Sequence, residues 1–383
     1  MPIRWADKGV RLIVLFSRVL LCCSLLLVLA LPAALAQQPV RITLLSPGAA
    51  DDPFWSELEG AMQVAARQFE FDFKIERLSH KEHNRFSVLS RYQEIIEGPN
   101  KPDYFISFFQ RGIEQNSLEM FEKNRVHFIS INTGLPSDYA EQFGKPGERY
   151  QYWLSHVSPD DYLAGKQLMH SLVQQASQKT PDKDVLTALA FGGPTHSQVG
   201  RQRLLGMRAA LAEINSEGEK VALLQRVFSD WRGEELVQKA QALFKRHSYP
   251  DVLWVPSDGT AIDLLAIMPE QAKRHTTVGS FDWSDLGIAK IQQGQLYASI
   301  GGHFLDGVWA LVIAFDHANR GELAMSETVF NTKMNIITMD NLLDYQQWLA
   351  NKDWLKADYR RFTKTHNSFV RANGYDFNLV PGD

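Results

Sequence analysis

Short apolar runs rich in β-branched and aromatic residues alternate with segments of helical periodicity along most of this 383-residue chain. The predicted strands are residues 40–45, 71–78, 104–109, 126–131, 185–191, 221–228, 252–256, 276–280 and 296–300. The predicted helices are residues 56–69, 86–96, 113–123, 202–214, 234–245, 261–268 and 307–317. Continuous apolar strands that alternate with helices are typical of parallel sheets covered on both faces, so the pattern predicts an α/β fold.

An irregular stretch at Pro136–Tyr150 interrupts this alternation and divides it into two runs. Two runs predict two doubly wound parallel-sheet lobes, in agreement with a length too great for one compact core. We expect a ligand cleft between the lobes and a hinge of three segments, near Ser155–Pro159, Ile300–His303 and Ser326–Val329. The helix at 307–317 should pack on the first lobe.

The predicted crossings define domain boundaries. The N-terminal lobe comprises residues 40–156 and 302–327, and the C-terminal lobe comprises residues 157–301 and 328–340. Residues 341–383 form an extension with predicted helices at 342–350 and 353–362, because its apolar residues recur at helical spacing. We expect the extension to cap a lobe, and docking of a partner is the alternative.

The first 36 residues have the three parts of a secretory signal. Four basic side chains precede an apolar run at Val19–Leu31, and Ala34-Leu35-Ala36 provides a small-residue cleavage site. The alternative is a retained membrane anchor, but a spanning helix needs about twenty apolar residues and Pro32 ends this run earlier. We therefore expect cleavage after Ala36 and export to the periplasm.

Composition after this cleavage excludes several classes of site. Cys22 and Cys23 are the only cysteines and lie in the signal, so the mature chain has no disulfide, thiolate metal site or thiol nucleophile. The full chain has 40 Lys and Arg against 44 Asp and Glu. Cleavage of the signal would remove mainly basic residues and make the net charge more negative. Such an acidic chain is a poor partner for nucleic acid or anionic lipid. His80 and His83 lie in a charged stretch that favours a solvated turn over a metal site, so we expect neither metal nor cofactor.

Ligands of open parallel sheets bind beyond the carboxyl ends of the strands. Aromatic, acidic, amide and basic side chains recur at these positions. The predicted ligand-binding residues are Asp52, Phe54, Trp55, Asn132, Arg203, Trp231, Ser257, Asp258, Asp282 and His303. Flat rings stack on the C–H surface of a polar ring-shaped ligand, and bidentate groups hold its hydroxyls.

Seven of these residues also have a structural interpretation. Asp52 before Pro53 is a good helix N-cap, and Asp258 and Asp282 are each followed by a predicted helix that they could cap. Asn132 is suited to a turn, one of the two rings Phe54 and Trp55 could belong to the core, and Arg203 could pair with Glu213. Their shared position at successive strand ends favours the ligand site.

Five segments resemble those of periplasmic binding proteins of the ribose-binding type, the sugar-binding family of ABC uptake systems. They are Asp52-Pro53-Phe54-Trp55, Asp161-Tyr162-Leu163-Ala164-Gly165, Arg203-Leu204-Leu205-Gly206-Met207, Ser257-Asp258 and Gly279-Ser280-Phe281-Asp282. The resemblance extends over about residues 40–338. It implies that Asp52, Phe54, Trp55 and Asn132 line one lobe and that Arg203, Trp231, Ser257 and Asp282 line the other, with His303 near the hinge.

Two positions depart from the usual sugar-binding pattern. Asn132-Thr133 stands where the family usually has Asp-Arg, and His303 stands near a usual amide. Asn132 is more similar to the autoinducer-2 receptors of the same superfamily, which bind an anionic borate with two arginines and signal through a membrane kinase. Here only Arg203 matches those arginines and Asp52 adds an opposing charge, so the resemblance implies a polyol-like or cationic ligand.

The sequence thus predicts a monomeric binding protein, not an enzyme, that delivers a sugar or polyol-like ligand to the permease of an ABC transporter. The alternative is a sensing subunit that presents the ligand-bound state to a membrane kinase or cyclase. A hydrolase is a third possibility, since acids such as Asp52, Asp258 and Asp282 could be paired, but the chain lacks the hydrolase, metalloprotease and nucleotide-binding motifs. We expect Arg203→Ala to weaken ligand binding without affecting folding.

Overall fold

The computed structural model of the protein describes residues 38–48, 52–79, 82, 84–218, 220–321 and 327–381. The predicted signal sequence and its cleavage site lie outside the described residues, as do His80 and His83. Within the described part of the chain, every helix is too short or too polar to cross a membrane.

The first sheet has six strands, all parallel, in the order β2-β1-β3-β4-β5-β11. These strands are β1 (Arg41–Ser46), β2 (Asp72–Arg77), β3 (Tyr104–Ser107), β4 (His127–Ile131), β5 (Trp153–Pro159) and β11 (Val329–Thr332). Its helices are α1 (Pro53–Gln68), α2 (Arg85–Glu97), α3 (Glu114–Asn124), the short α4 (Tyr139–Phe143) and α11 (Asp306–Arg320). The helix α11 packs on α1 and on strands of this sheet, as predicted.

The second sheet has the order β7-β6-β8-β9-β10-β12, and only the pairing of β10 with β12 is antiparallel. Its strands are β6 (Leu186–Gly192), β7 (Val221–Phe228), β8 (Val252–Trp254), β9 (Thr277–Phe281), β10 (Ala298–Gly301) and β12 (Asn335–Thr338). Its helices are α5 (Asp161–Lys179), α6 (Gln198–Ser216), α7 (Glu234–His247), α8 (Asp258–Ile267), α9 (Glu270–His275) and α10 (Asp285–Gln292). Two doubly wound lobes are therefore confirmed.

Strand burial explains why the sequence forms parallel sheets. Strands such as β3 and β9 are buried along their whole length, which is possible only where helices cover both faces. One face of the first sheet carries a cluster of rings in which Phe121 of α3 stacks on Phe128 of β4 at 4.3 Å. On α1, Leu58, Ala61, Met62 and Ala65 are fully buried at helical spacing.

Two predicted boundaries differ from the observed sheets. The strand β5 continues in the first sheet to Pro159, beyond the predicted boundary at 156. The strand β11 pairs with β5, so the third crossing lies between Thr332 and Asn335 and not near Ser326–Val329. The sequence did not show this because β11 reads Val-Phe-Asn-Thr, a short run without a clear apolar pattern.

The C-terminal extension contacts elements of both lobes. It consists of α12 (Leu342–Asn351), two short 3₁₀ turns at Asp353–Leu355 and Tyr359–Phe362, and α13 (Ser368–Asn373). Tyr345 packs against Trp283 of the second lobe, and Trp354 packs against Phe304 beside the first. Lys352 forms ion pairs with Glu57 and with Asp285. These contacts agree with a capping role.

A buried carboxylate holds the extension on α11. Asp316 is inaccessible to solvent and accepts hydrogen bonds from the backbone N–H groups of Lys364 (2.6 Å) and Thr365 (2.8 Å) and from the Tyr375 hydroxyl (3.0 Å). Because three donors depend on one side chain, Asp316 determines how the chain end packs on the first lobe.

We expect Asp316→Ala to lower the free energy of unfolding by about 3 kcal/mol or more, because buried donors would be left unsatisfied. Urea denaturation of the protein measures this loss. The matched control is Asp184→Ala, which removes an exposed carboxylate and should change stability by less than about 0.5 kcal/mol. A loss as small as that of the control would contradict the assigned role of Asp316.

Candidate functional site

Arg203 is buried at the meeting point of several strand ends. It lies on α6, which follows β6 and begins at the Ser197 N-cap. Its Nε donates to Asp161 Oδ1 (2.8 Å), Nη1 donates to the Pro256 carbonyl (2.7 Å), and the guanidinium lies 4.3 Å from the centre of the Phe281 ring. Only 3% of Arg203 is exposed, so the packing fixes the direction in which its remaining donors point.

The remaining donors of Arg203 point to a cluster shared by both lobes. Nη2 lies 3.3 Å from His303 Nε2, and Nη1 lies 3.6 Å from Asp282 Oδ1. His303, on the segment that follows β10, lies 3.7 Å from the same Asp282 oxygen and stacks on Phe54 of the first lobe at 4.6 Å. Phe54 in turn contacts the edge of Trp55 at 5.4 Å. The structure thus brings five of the predicted residues together.

The backbone at Asp282 is strained. Asp282 and Trp283 have φ angles of 110° and 59°, in the region that disfavours residues with a Cβ. Hydrogen bonds from the Trp283 indole N–H to the Ser299 carbonyl (2.9 Å) and from the Trp283 N–H to Ser299 Oγ (3.3 Å) hold this conformation. Strain of this kind costs about 1–3 kcal/mol per residue and is concentrated at binding and catalytic sites. Here it places the Asp282 carboxyl beside Arg203.

The cluster has perturbed protonation equilibria. Burial raises the pKa of Asp282 to about 7 against the opposing effect of Arg203, and Asp258 and Asp52 raise it further. Burial, and then Arg203, hold the pKa of His303 well below its usual range, so its imidazole is neutral. A neutral imidazole offers one donor and one acceptor. With a pKa of about 7, the Asp282 carboxyl can donate a hydrogen bond when protonated and accept one when ionised. Hydroxyl groups, which do both, match this set.

Asp258, a predicted ligand-binding residue, is buried among hydrogen-bond donors of the protein itself. Its carboxylate is 1% exposed and accepts hydrogen bonds from the hydroxyls of Ser280, Ser284 (2.9 Å) and Ser299 (2.8 Å), and from the Ser284 N–H (2.8 Å). These bonds fasten the ends of β9 and β10 to α8. Asp258 therefore positions the strand ends around Asp282.

The two predicted tryptophans occupy similar places in the two lobes. Trp55 lies against Gly48 after β1, and Trp231 lies against Gly193 after β6. A Cβ on Gly48 would be 2.4 Å from Trp55, and one on Gly193 would be 2.6 Å from the Trp231 ring. Both glycines are needed for this close approach. Each indole remains partly exposed, which leaves surface for stacking.

Three predicted residues serve as local structure. Asp52 caps α1 by accepting from the Trp55 N–H (2.9 Å), although it is close enough to raise the pKa of Asp282. Ser257 caps α8 and contacts Thr260 Oγ1 (3.0 Å), whose hydroxyl donates to the Trp231 carbonyl (2.6 Å). Asn132 has a φ of 61° in the turn after β4, as a turn residue would.

A cavity of about 610 Å³ lies between the lobes. The first lobe contributes residues 84–85 and 110–112, and the second contributes Thr195 and His196. Arg85, Arg111 and His196 give this lining a basic character. The cavity lies at the start of α2 and at the loops that follow β3 and β6, and none of the ten predicted ligand-binding residues lines it.

Sequence reasoning missed three contributors. Asp161 was identified only as part of a resembling segment, although it is the ion-pair partner of Arg203 in place of Glu213, which pairs with Lys166 at 2.7 Å. Phe281 was likewise identified only as part of a resembling segment, and its ring faces the guanidinium. The basic residues at the cavity are exposed, with Arg111 and His196 on loops and Arg85 at the start of α2, so they carry no apolar periodic signal.

The comparisons place this chain among binding proteins. The sequence profile of a family described as "Periplasmic binding protein domain" matches residues 123–322. No curated protein matches the chain. Similar solved structures include a periplasmic sugar-binding protein from Pseudomonas fluorescens, with 22% identity, a TM-score of 0.71, and coverage of 88% of this chain and 96% of that one.

Two further similar structures were solved with ligands. An ABC transporter periplasmic solute-binding protein from Actinobacillus succinogenes with bound D-allose has 14% identity, a TM-score of 0.68, and coverage of 80% of this chain and 100% of that one. An ABC transporter solute-binding protein from Bacillus halodurans with bound myo-inositol has 13% identity, a TM-score of 0.65, and coverage of 81% and 98%. At these identities the similarity shows the shared two-lobed fold.

The burial of Arg203 changes what its substitution should do. Folding was expected to be unaffected, but Arg203→Met would leave Asp161 buried without its partner, and such a loss costs about 3–5 kcal/mol. Urea denaturation measures it. The double variant Arg203→Met/Asp161→Asn should lose less, because no charge is left unpaired. Equal losses in the single and double variants would contradict a coupled pair.

A second prediction concerns pH. Burial raises the pKa of Asp306 to about 8, and Asp161 adds to this effect. Asp306 and Asp282 thus hold protons in the folded state that they release on unfolding, so their stabilising contribution is complete below about pH 4 and is lost as pH rises through 7 to 8. Above about pH 7 histidines are largely neutral in both states and do not oppose this trend.

We therefore expect the free energy of unfolding to fall between pH 7 and about 8.5, as measured by urea denaturation. Asp306→Asn should reduce this fall, whereas Asp184→Asn should leave it unchanged because Asp184 is exposed. Stability that rises over this interval would contradict the raised pKa values.

Proposed function

Because this chain belongs to the periplasmic binding protein family, whose profile matches more than half of it, we propose that it captures a sugar or polyol-like ligand in the cleft between its lobes. We further propose that it is exported to the periplasm and delivers the ligand to the permease of an ABC transporter. The family consists of solute-binding proteins and not of enzymes, so capture without turnover is the expected activity.

The proposal rests chiefly on the cluster of Arg203, His303 and Asp282. Its atoms lie within 3.3–3.7 Å of one another, and the cluster combines donor-only, neutral and acidic groups at one place. A ligand with several adjacent hydroxyls can satisfy all three at once, since each hydroxyl both donates and accepts. D-Allose and myo-inositol, the ligands of two similar structures, are polyhydroxylated rings.

Stacking surfaces support the same ligand class. Trp55 and Trp231 are partly exposed on different lobes, each held against a glycine. Aromatic faces bind the C–H surface of a sugar ring, while the polar cluster binds its edge. A ligand held from both lobes would favour a closed arrangement, and few chain segments need to bend for closure.

A sensing role is the second candidate, favoured by Asn132. An asparagine at this position is more similar to the pattern of the autoinducer-2 receptors than to that of the sugar-transport proteins. The residue lies after β4 and is partly buried. Transport and sensing share the ligand step and differ only in the membrane partner. Pull-down of membrane proteins by the ligand-loaded chain separates them, since a permease supports transport and a kinase or cyclase supports sensing.

Isothermal titration with a panel of aldoses, ketoses and inositols tests the proposed ligand class. We expect at least one member to bind and to raise the melting temperature, without chemical change to the ligand. Failure of the entire panel to bind, or turnover of any member, would contradict the proposal.

With the best ligand of that panel, Trp231→Ala should weaken binding by about 5- to 50-fold, because it removes one stacking face. Phe369→Ala is the matched control, since Phe369 is 68% exposed on the extension and should leave affinity unchanged. If Trp231→Ala binds as tightly as the control, the ligand does not contact Trp231.

A further inference from the structure

A second cavity, of about 350 Å³, lies between the hinge and the end of the C-terminal extension. The hinge and α11 contribute four residues between Gly302 and Trp309 to its walls. The segment 327–335, which includes β11, and the tail at Tyr375–Val380 form the rest. It shares no residue with the cavity between the lobes or with the predicted ligand site. Val380 comes to 3.3 Å from the position of a Cβ on Gly302, so the tail closes one side.

The hinge side of this cavity holds a buried carboxyl with a free oxygen. Asp306 is inaccessible to solvent, and Oδ1 accepts a hydrogen bond from Thr332 Oγ1 at 2.7 Å. Its Oδ2 has no hydrogen-bond partner among the described residues. A buried acceptor left without a partner costs about 1–3 kcal/mol or more when charged, so it indicates a group that binds there.

The remaining lining favours a positive charge. Glu327 and Asp376 add two carboxylates at the exposed rim, while Lys333 is the only basic residue in the lining. Aromatic rings form part of the wall, with Tyr375 stacked on Phe377 at 5.0 Å and Phe330 packed against both. Lys364 places its ammonium 4.3 Å from the centre of the Tyr375 ring, so this part of the wall already includes one cation–π contact.

The mixture of rings and carboxylates distinguishes an organic cation from a metal ion. Within the described residues no group of three or more His, Cys, Asp and Glu side chains is placed to hold a metal. An ammonium group needs one carboxylate and one or two ring faces, and both are present here. The volume fits a small molecule at the lower end of the usual range for ligand sites.

We propose that this cavity is a second binding site, specific for a small organic amine in its protonated form, with Asp306 as the anchoring carboxylate. Burial raises the pKa of Asp306 to about 8, and a bound ammonium would ionise this carboxyl. The site is independent of sugar capture, since a protein that bound no sugar could still bind the amine.

Isothermal titration of the mature protein with 1,4-diaminobutane tests the proposal, with 1,4-butanediol as a neutral probe of the same length and MgCl₂ as a metal probe. We expect the diamine to bind and the diol and Mg²⁺ not to bind. Asp306→Asn should weaken diamine binding by about 10- to 100-fold, because a charge-assisted hydrogen bond is lost. Asp184→Asn, an exposed carboxylate elsewhere, should leave the affinity unchanged.

A second variant keeps the test valid if Asp306→Asn fails to fold. Glu327→Gln/Asp376→Asn changes only exposed rim residues and should weaken diamine binding by about 2- to 10-fold. Absence of diamine binding, equal binding of the diol, or full affinity in both variants would overturn the proposal. Retained diamine binding in a protein that binds no sugar would overturn only the proposed function.

Discussion

The buried ion pair between Arg203 and Asp161 is the interaction on which the site depends. Neither residue is more than 3% exposed, and their 2.8 Å contact joins α6 to the start of α5, where the chain enters the second lobe. A charge so deeply buried is tolerated only when its partners are fixed. Because Asp161, the Pro256 carbonyl and Phe281 fix the guanidinium, its free donors point at His303 and Asp282.

The residues around this pair hold other side chains in energetically unfavourable conformations. Asp258, with its serine partners, fastens the strand ends that carry the strained Asp282 backbone. Gly48 and Gly193 allow the two indoles to lie against the backbone. The strained backbone and the two glycines each lower stability locally. They leave polar or aromatic surface directed at one region, which is the arrangement expected of a binding site and not of a core.

The fold could be predicted from the sequence because its main signal is local. Apolar strands and helical spacing identified both sheets, and Arg203, His303, Asp282 and Phe54 lie together in the structure because strand ends converge. The strand β11, the ion pair of Asp161, and the role of Asp258 depend on contacts between residues distant in sequence. The sequence next to Asp258 would be the same whether its carboxylate capped a helix, bound a ligand or accepted hydrogen bonds from three serines.

The central claim is that a ligand is bound between the lobes at Arg203, His303 and Asp282. A crystal structure of the protein saturated with its best sugar or polyol tests it most directly. We expect ligand hydroxyls within about 3 Å of these three side chains, with Trp55 or Trp231 stacked on the ring. A ligand bound elsewhere, with the Arg203 cluster still contacting only protein atoms, would contradict it.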